Sequence, residues 1–331
     1  MFDPILRRVS TTNGSISLDC PGEVSFISHA HADHAVKNAK KVITSNETLH
    51  LLKKRAYVKN EVEHLSLVKG VELLDAGHVL GSRQLFVTGQ STFLYTGDVK
   101  LTESLTAGSA QLRECDELFI EATYGSSEYV FPSRVEVGEQ IAKWATGNQS
   151  RGEITILGGY ALGKAQEIVA ALNKFAGIAP VLSGEVEKIC TAYNDLGVKL
   201  DFVSSSTEEG QKELKGAFVS VIPMSKVTPA LGYALKEGYG RGVKLAACTG
   251  WTLTSSSPGL TGFPLSDHAD YRELLQIVEQ TNAKKIYCAY GFSEEFAATL
   301  RKQGKDAVAL PERKSRRQRE EHSQQTLAIY S

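Results

Sequence analysis

The sequence predicts an α/β protein: a mixed sandwich whose strand ends carry a metal site, interrupted by a second, parallel-sheet α/β unit. Three observations carry that expectation. The stretch Ser28-His29-Ala30-His31-Ala32-Asp33-His34 places three imidazoles and a carboxylate directly behind the apolar run Val24 to Ile27. Three later strand-like runs end in His78, Asp98 and Glu121. After Gly125 the pattern changes to strands alternating with helices, the signature of a parallel sheet.

Composition narrows the class. With 331 residues, 42% hydrophobic and 23% charged, the chain is long enough for one large or two medium cores. No run approaches eighteen consecutive apolar residues, and Met1 to Arg8 lacks the apolar centre of a signal peptide, so a cytoplasmic protein without membrane contact is expected. The five cysteines, Cys20, Cys115, Cys190, Cys248 and Cys288, are odd in number and never close together. They read as reduced, mostly buried thiols. A net charge of −1 leaves nucleic acid open as a partner, because phosphate binding needs only a local basic patch.

Taken in order, Ser15 to Leu18 and Val24 to Ile27 read as strands around the turn Asp19-Cys20-Pro21-Gly22. Asp19 is either a partner that hydrogen-bonds the metal loop or a simple turn former. Neutral imidazole and carboxylate are ligands that zinc accepts. His29 and His31, two apart on an extended segment, face the same side and can share one ion, while Asp33 and His34 lie beyond, where the chain turns, and can serve a second. The plainer reading is a solvated, histidine-rich turn. Val42 to Thr44 reads as a strand and Glu47 to Ala56 as a helix, with His50 and His64 as ordinary surface or packing residues. Strands Val71 to Gly77, Thr92 to Gly97 and Glu117 to Ile120 then deliver His78, Asp98 and Glu121.

Ser133 with Glu136 predicts a capped helix start, with an apolar face up to Gly147. Strand-helix alternations follow: 154–157 with 163–175, 181–182 with 185–194, 218–222 with 228–235, then 244–247. After the Ser/Gly-rich loop 252–262 come Phe263 to Asp270, a helix 271–280, a strand 285–289, a helix 294–303 and a strand 307–310. The expected organisation is a metal-binding domain in two parts, 1–125 and 251–312, an insertion at 126–250, and a tail 313–331. Five of the seven residues from Arg313 to Arg319 are basic. Such a run is either solvated or a phosphate contact.

With these pieces in place, the chain resembles the metallo-β-lactamase superfamily and, within it, the β-CASP nucleases, from about residue 10 to 310. His-Ala-His-Ala-Asp-His matches the H-x-H-x-D-H signature; Asp19, His78 and Asp98 match the first, third and fourth motifs. Glu121 in Glu-Ala-Thr-Tyr-Gly and His268 in Ser-Asp-His-Ala-Asp-Tyr resemble the β-CASP A and B motifs. Gly-Gly-Tyr-Ala-Leu-Gly-Lys-Ala-Gln (158–166) and Thr-Gly-Trp (249–251) are similar to the short members called mRNA 3′-end processing factor-like proteins or ligase-associated putative exonucleases. The chain departs from many RNA-acting members at the C motif, where Tyr290 stands in place of a histidine.

The resemblance implies an αββα sandwich with an inserted β-CASP domain. It also implies two Zn²⁺ ions, one held by His29, His31, His78 and Asp98, the other by Asp33, His34 and a bridging Asp98. Tyr290 leaves that second ion weakly held or serves it as an outer partner, and Mn²⁺ is an expected substitute. His268 would act as general acid, oriented by Glu121, with Asp33 in the reacting centre. The implied activity is hydrolysis of phosphodiester bonds in single-stranded RNA, by endo- or exonuclease action. The alternatives are a DNA exonuclease of the ligase-associated repair type and a non-catalytic nucleic-acid-binding subunit. Lys164, at a Gly-rich turn before a helix, with Ser225 and Lys226, are candidate substrate contacts, against the reading of an ordinary α/β turn. A homodimer is compatible with all of this.

Overall fold

Short apolar runs separated by tight turns pair early in the chain. In the computed structural model, which describes residues 2–12, 14–59 and 61–311, strands β1 (Phe2–Asp3), β2 (Arg8–Thr11), β3 (Gly14–Leu18), β4 (Val24–Phe26), β5 (Lys41–Ile43) and β6 (Glu63–His64) form one sheet in chain order. The basic run 313–319 lies outside the described residues. The first two pairings are antiparallel and the rest parallel, so β3, β4 and β5 end on the same edge. Helix α1 (Asn46–Lys54) begins at Ser45, whose side chain accepts from the Thr48 amide.

A second sheet starts with an antiparallel meander, β7 (Val71–Asp75), β8 (Arg83–Val87) and β9 (Phe93–Tyr95), and continues in parallel with β10 (Glu117–Glu121). The intervening 134–263 segment builds a third, all-parallel sheet. Its strands are β11 (Ile154–Gly159), β12 (Val181–Leu182), β13 (Val203–Ser204), β14 (Val219–Pro223), β15 (Val243–Cys248) and β16 (Leu260–Phe263), in the order β13-β12-β14-β11-β15-β16. Helices α2 (Arg134–Ser150), α3 (Lys164–Ala176), α4 (Gly184–Asp195), α5 (Glu208–Glu213) and α6 (Pro229–Tyr239) connect them. The chain then returns to the second sheet through α7 (Tyr271–Thr281), β17 (Lys285–Ala289), α8 (Ser293–Lys302) and β18 (Ala307–Ala309).

The return comes later than the expected residue 251. The segment 260–262, read as the end of a Ser/Gly-rich loop, joins Phe263 in pairing in parallel with β15, from Leu245↔Leu260 to Cys248↔Phe263. Pairing to a buried neighbour supplies the order that its own composition does not. The sequence reading also passed over β8 and α5.

The first two sheets face each other across a core containing Phe26, Leu85, Tyr95, Phe119 and Tyr287, and α7 and α8 cover the outer face of the second sheet through Leu274, Ile277, Phe296 and Leu300. This is an αββα sandwich. The outer core of the first sheet, with Ile27, Leu51 and Leu52, is continuous with that of the inserted sheet, with Leu157, Ile168, Val186 and Tyr193. All five cysteines are free and buried. Among the described residues no helix is long and apolar enough to cross a membrane.

Candidate metal centre

The metal loop is built on Asp19. This residue ends β3 in the left-handed region (φ 46°) and turns its carboxylate beneath residues 28–34. Oδ1 accepts from the Ser28 amide (2.7 Å), and Oδ2 accepts from the Ser28 hydroxyl (2.6 Å) and the Tyr95 hydroxyl (2.8 Å). His34 Nδ1 lies 2.8 Å from the same oxygen. Asp19 therefore fixes both the start and the end of the loop.

The loop brings His29 and His31 against His78 and Asp98, delivered from behind β7 and β9. His31 Nδ1 lies 2.9 Å from His29 Nε2 and 3.1 Å from His78 Nε2, and Asp98 Oδ2 lies 3.4 and 3.6 Å from those two Nε2 atoms. One donor atom from each of the four residues falls within 4.8 Å of every other. The outward ring nitrogens fix the tautomers. His78 Nδ1 donates to the Asp267 carbonyl (2.9 Å) and His31 Nε2 to the Leu162 carbonyl (3.1 Å). The Ser28 hydroxyl spends its proton on Asp19, so it accepts from His29 Nδ1 (2.9 Å).

Three bare nitrogens thus point at one another beside a carboxylate. Such lone pairs repel unless a cation lies among them, and three imidazoles with one carboxylate form a donor set that suits zinc. Burial holds His29 and His78 well below the usual imidazole range and His31 down to about 4, so all three are neutral near pH 7. Burial, opposed by His34 and assisted by Glu121, pushes Asp98 up to about 7.

The second expected group is looser. His34 Nε2 lies 3.5 Å from Asp98 and 3.8 Å from Asp33, and the Asp33 side chain is 82% exposed. Burial works against a charged His34, but Asp98 and Asp19 more than offset it and lift His34 well above its ordinary value. His34 and His31 hold the exposed Asp33 carboxylate below its ordinary value. Tyr290, at φ 68°, stacks obliquely 5.7 Å from His34, but its hydroxyl accepts from Arg7 Nη1 (2.8 Å). Arg7, buried between the Phe119 and Tyr290 rings, escaped the sequence reading entirely.

Behind the four-donor group stands an ion pair. Glu121, the last residue of β10, meets His268 Nδ1 at 2.9 and 3.1 Å and also accepts from the Val99 amide. The His268 ring lies 4.5 Å from that of His78. Burial opposes the charge on His268, but Glu121 outweighs it and lifts His268 to about 9; His268 in turn outweighs burial and keeps Glu121 low.

A cleft of about 440 Å³ opens over the site; the sandwich lines it with His31, Asp33, His34, Arg55, Asp98, His268 and Tyr290, and the inserted unit with Tyr160, Lys164 and Trp251. The expected substrate contacts need correction. Lys164 is 2% exposed and its ammonium is committed to Asp267, which it holds well below the carboxylate range against the effect of burial. It is a bridge between the two units, not a free cation. Ser225 and Lys226 are exposed on a short turn after β14 and are not among the residues lining the cleft. Asp267 also escaped the sequence reading; its position beside His268 was the only signal.

Comparison with known proteins agrees with the motifs. No family model matches the chain. It is 31% identical over 309 residues to a probable DNA ligase of Opitutus terrae, covering 88% of this chain and 29% of that protein. It is 26% identical over 321 residues to the mouse DNA cross-link repair 1A protein, covering 86% and 30%, and 28% identical over 219 residues to an RNase J-like protein of Methanocaldococcus jannaschii, covering 51% of each. The chain thus spans less than a third of the length of the first two. A solved structure of a protein of unknown function from Enterococcus faecalis V583 shares the fold, with a TM-score of 0.55 at 15% identity over 88% of this chain and 79% of that one. From its signature histidines, its sandwich with an inserted parallel sheet and these relatives, the chain belongs to the β-CASP group of the metallo-β-lactamase superfamily.

Proposed function

We propose that the chain is a zinc-dependent nuclease that hydrolyses phosphodiester bonds of single-stranded nucleic acid. The observation that carries this reading is the convergence of three neutral imidazoles and Asp98 at one point, with a charged His268–Glu121 pair immediately beside it. His29, His31, His78 and Asp98 would hold the principal ion; His34, Asp33 and Asp98 would hold a second, weaker one, for which Mn²⁺ can substitute. Bound metal supplies Lewis acidity, lowering the pKa of water and offsetting charge on the phosphate.

The chain's own groups do the rest. His268 carries a proton at neutral pH, and Glu121 occupies its Nδ1, which leaves Nε2 as the donor to the leaving oxygen. Acid assistance of this kind contributes ~10² to 10⁴ in rate. Asp33, exposed at the mouth, would accept a proton from an incoming water when the weaker ion is absent. The inserted unit, taken as 126–263, forms the wall against which the strand lies. Every residue invoked comes from one chain, so the centre does not depend on a dimer.

The relatives that match along most of the chain carry DNA in their names, while the RNase J-like protein matches about half. That favours DNA over the RNA preference expected from the sequence. End-labelled DNA and RNA of identical sequence, incubated with zinc- or manganese-loaded protein, test both statements. Cleavage should require metal, favour DNA and fall at least ~10²-fold in His31→Ala and His268→Ala. Full activity in EDTA, or in His31→Ala, would sink the centre; faster RNA cleavage would restore the original order.

A further inference from the structure

We propose that Tyr160 and Trp251 are stacking walls for the unpaired bases beside the scissile phosphate, so that the cleft recognises a single strand by the flat faces of its bases, whatever their sequence. The inference rests on the reading above only in placing nucleic acid in the cleft.

Both rings come from neighbouring strand ends. β11 and β15 pair in parallel, with Gly158 opposite Ala247, so their carboxyl ends leave the sheet together. Ligands of open parallel sheets bind at such ends. Tyr160 is the first residue after β11, and Trp251 lies on the short turn Gly250–Leu253 that follows β15. Adjacent strands are about 4.8 Å apart, and both rings line the cleft that holds His31 and His268.

Each ring is braced from behind and open in front. Tyr160 is 50% exposed, and the Lys164 ammonium lies 4.7 Å from its ring centre, itself tied down by Asp267. Trp251 is 36% exposed and packs on Tyr124 at 4.8 Å and Phe292 at 6.3 Å. Gly250 permits that approach, because a Cβ there would lie 2.5 Å from the Tyr124 hydroxyl. Large rings held this way lose little freedom when a base settles on them. The two cations that line the cleft are meanwhile already engaged: Lys164 pairs with Asp267, and Arg55 donates to the Ala30 carbonyl and to Glu185. Stacking is the chemistry left to it.

Stacking on one aromatic ring is worth on the order of tenfold or more in affinity. The chain has two tryptophans, and Trp144 packs against Phe263 away from the cleft, so Trp144→Phe leaves Trp251 as sole reporter. The full chain in EDTA would be titrated with oligo(dT), an abasic oligonucleotide of equal length and a blunt hairpin duplex. Oligo(dT) should quench Trp251 fluorescence and bind at least tenfold more tightly than the other two. Tyr160→Ala and Trp251→Ala should lose that advantage while binding the abasic strand unchanged, and Trp251→Phe, which keeps a ring and guards against misfolding, should retain most of it. Equal binding of abasic and base-bearing strands would overturn the proposal. So would wild-type affinity in Tyr160→Ala, or the absence of any binding. If cleavage is metal-dependent yet both alanine variants keep the wild-type KM, stacking fails alone; if no strand is bound or cut, the nuclease reading falls too.

Discussion

One proton decides what His268 can do. Its pKa is raised from the ordinary 6.5 to about 9 against burial, chiefly by Glu121. A raised folded-state value means that the pair's stabilisation is fully present below pH 6.5 and is lost as pH rises through about 9. The displacement is worth at most about 3 kcal/mol. In metal-free protein, His268→Gln should therefore lower urea-unfolding stability at pH 6 and change it little at pH 10; an equal cost at both would contradict the ion pair. At this scale the sequence was informative where chemistry is local. His29 to His34 announced itself because four ligand residues, three imidazoles and a carboxylate, fall within six positions. Arg7 with Tyr290, 283 residues apart, and Lys164 with Asp267, 103 apart, left no trace, since only the closed fold makes them neighbours.

Where α3 begins, the backbone itself joins the two units. Gly163 has φ +86°, and a Cβ there would lie 2.5 Å from Val79 Cγ1 and 2.9 Å from Asp267 Oδ2. Gly177, which ends the same helix at φ +62°, has nothing within 4 Å of an added Cβ. Gly177→Ala should cost only backbone strain, about 1 kcal/mol, whereas Gly163→Ala adds a steric clash and should cost about 2 to 4 kcal/mol. Thermal denaturation of the two variants compares them directly, and equal losses would show that the junction is soft. Element by element, helices with clear apolar spacing and a side-chain cap, such as α1 and α7, lie within one or two residues of the sequence reading. β16 did not, because a Thr-Gly segment takes its strand form from β15 and not from propensity.

Across the whole molecule, one apolar core joins α1 and the first sheet to α3, α4 and the inserted sheet. Unfolding should be a single cooperative transition by both circular dichroism and Trp fluorescence; two separated transitions would mean that the units fold independently. Under the proposed function, zinc would be held only by the folded state and should raise stability by about 2.7 kcal/mol at a hundredfold excess over Kd, and His31→Ala should abolish the gain. The shared core has a further consequence. Swinging the halves apart would bring Leu51, Leu157 and Ile168 into water, so the slot above the imidazoles keeps a constant gauge. On the proposed nuclease reading, a lone string of nucleotides would be drawn along it, whereas paired strands would have to part at the rim before either backbone reached the bottom.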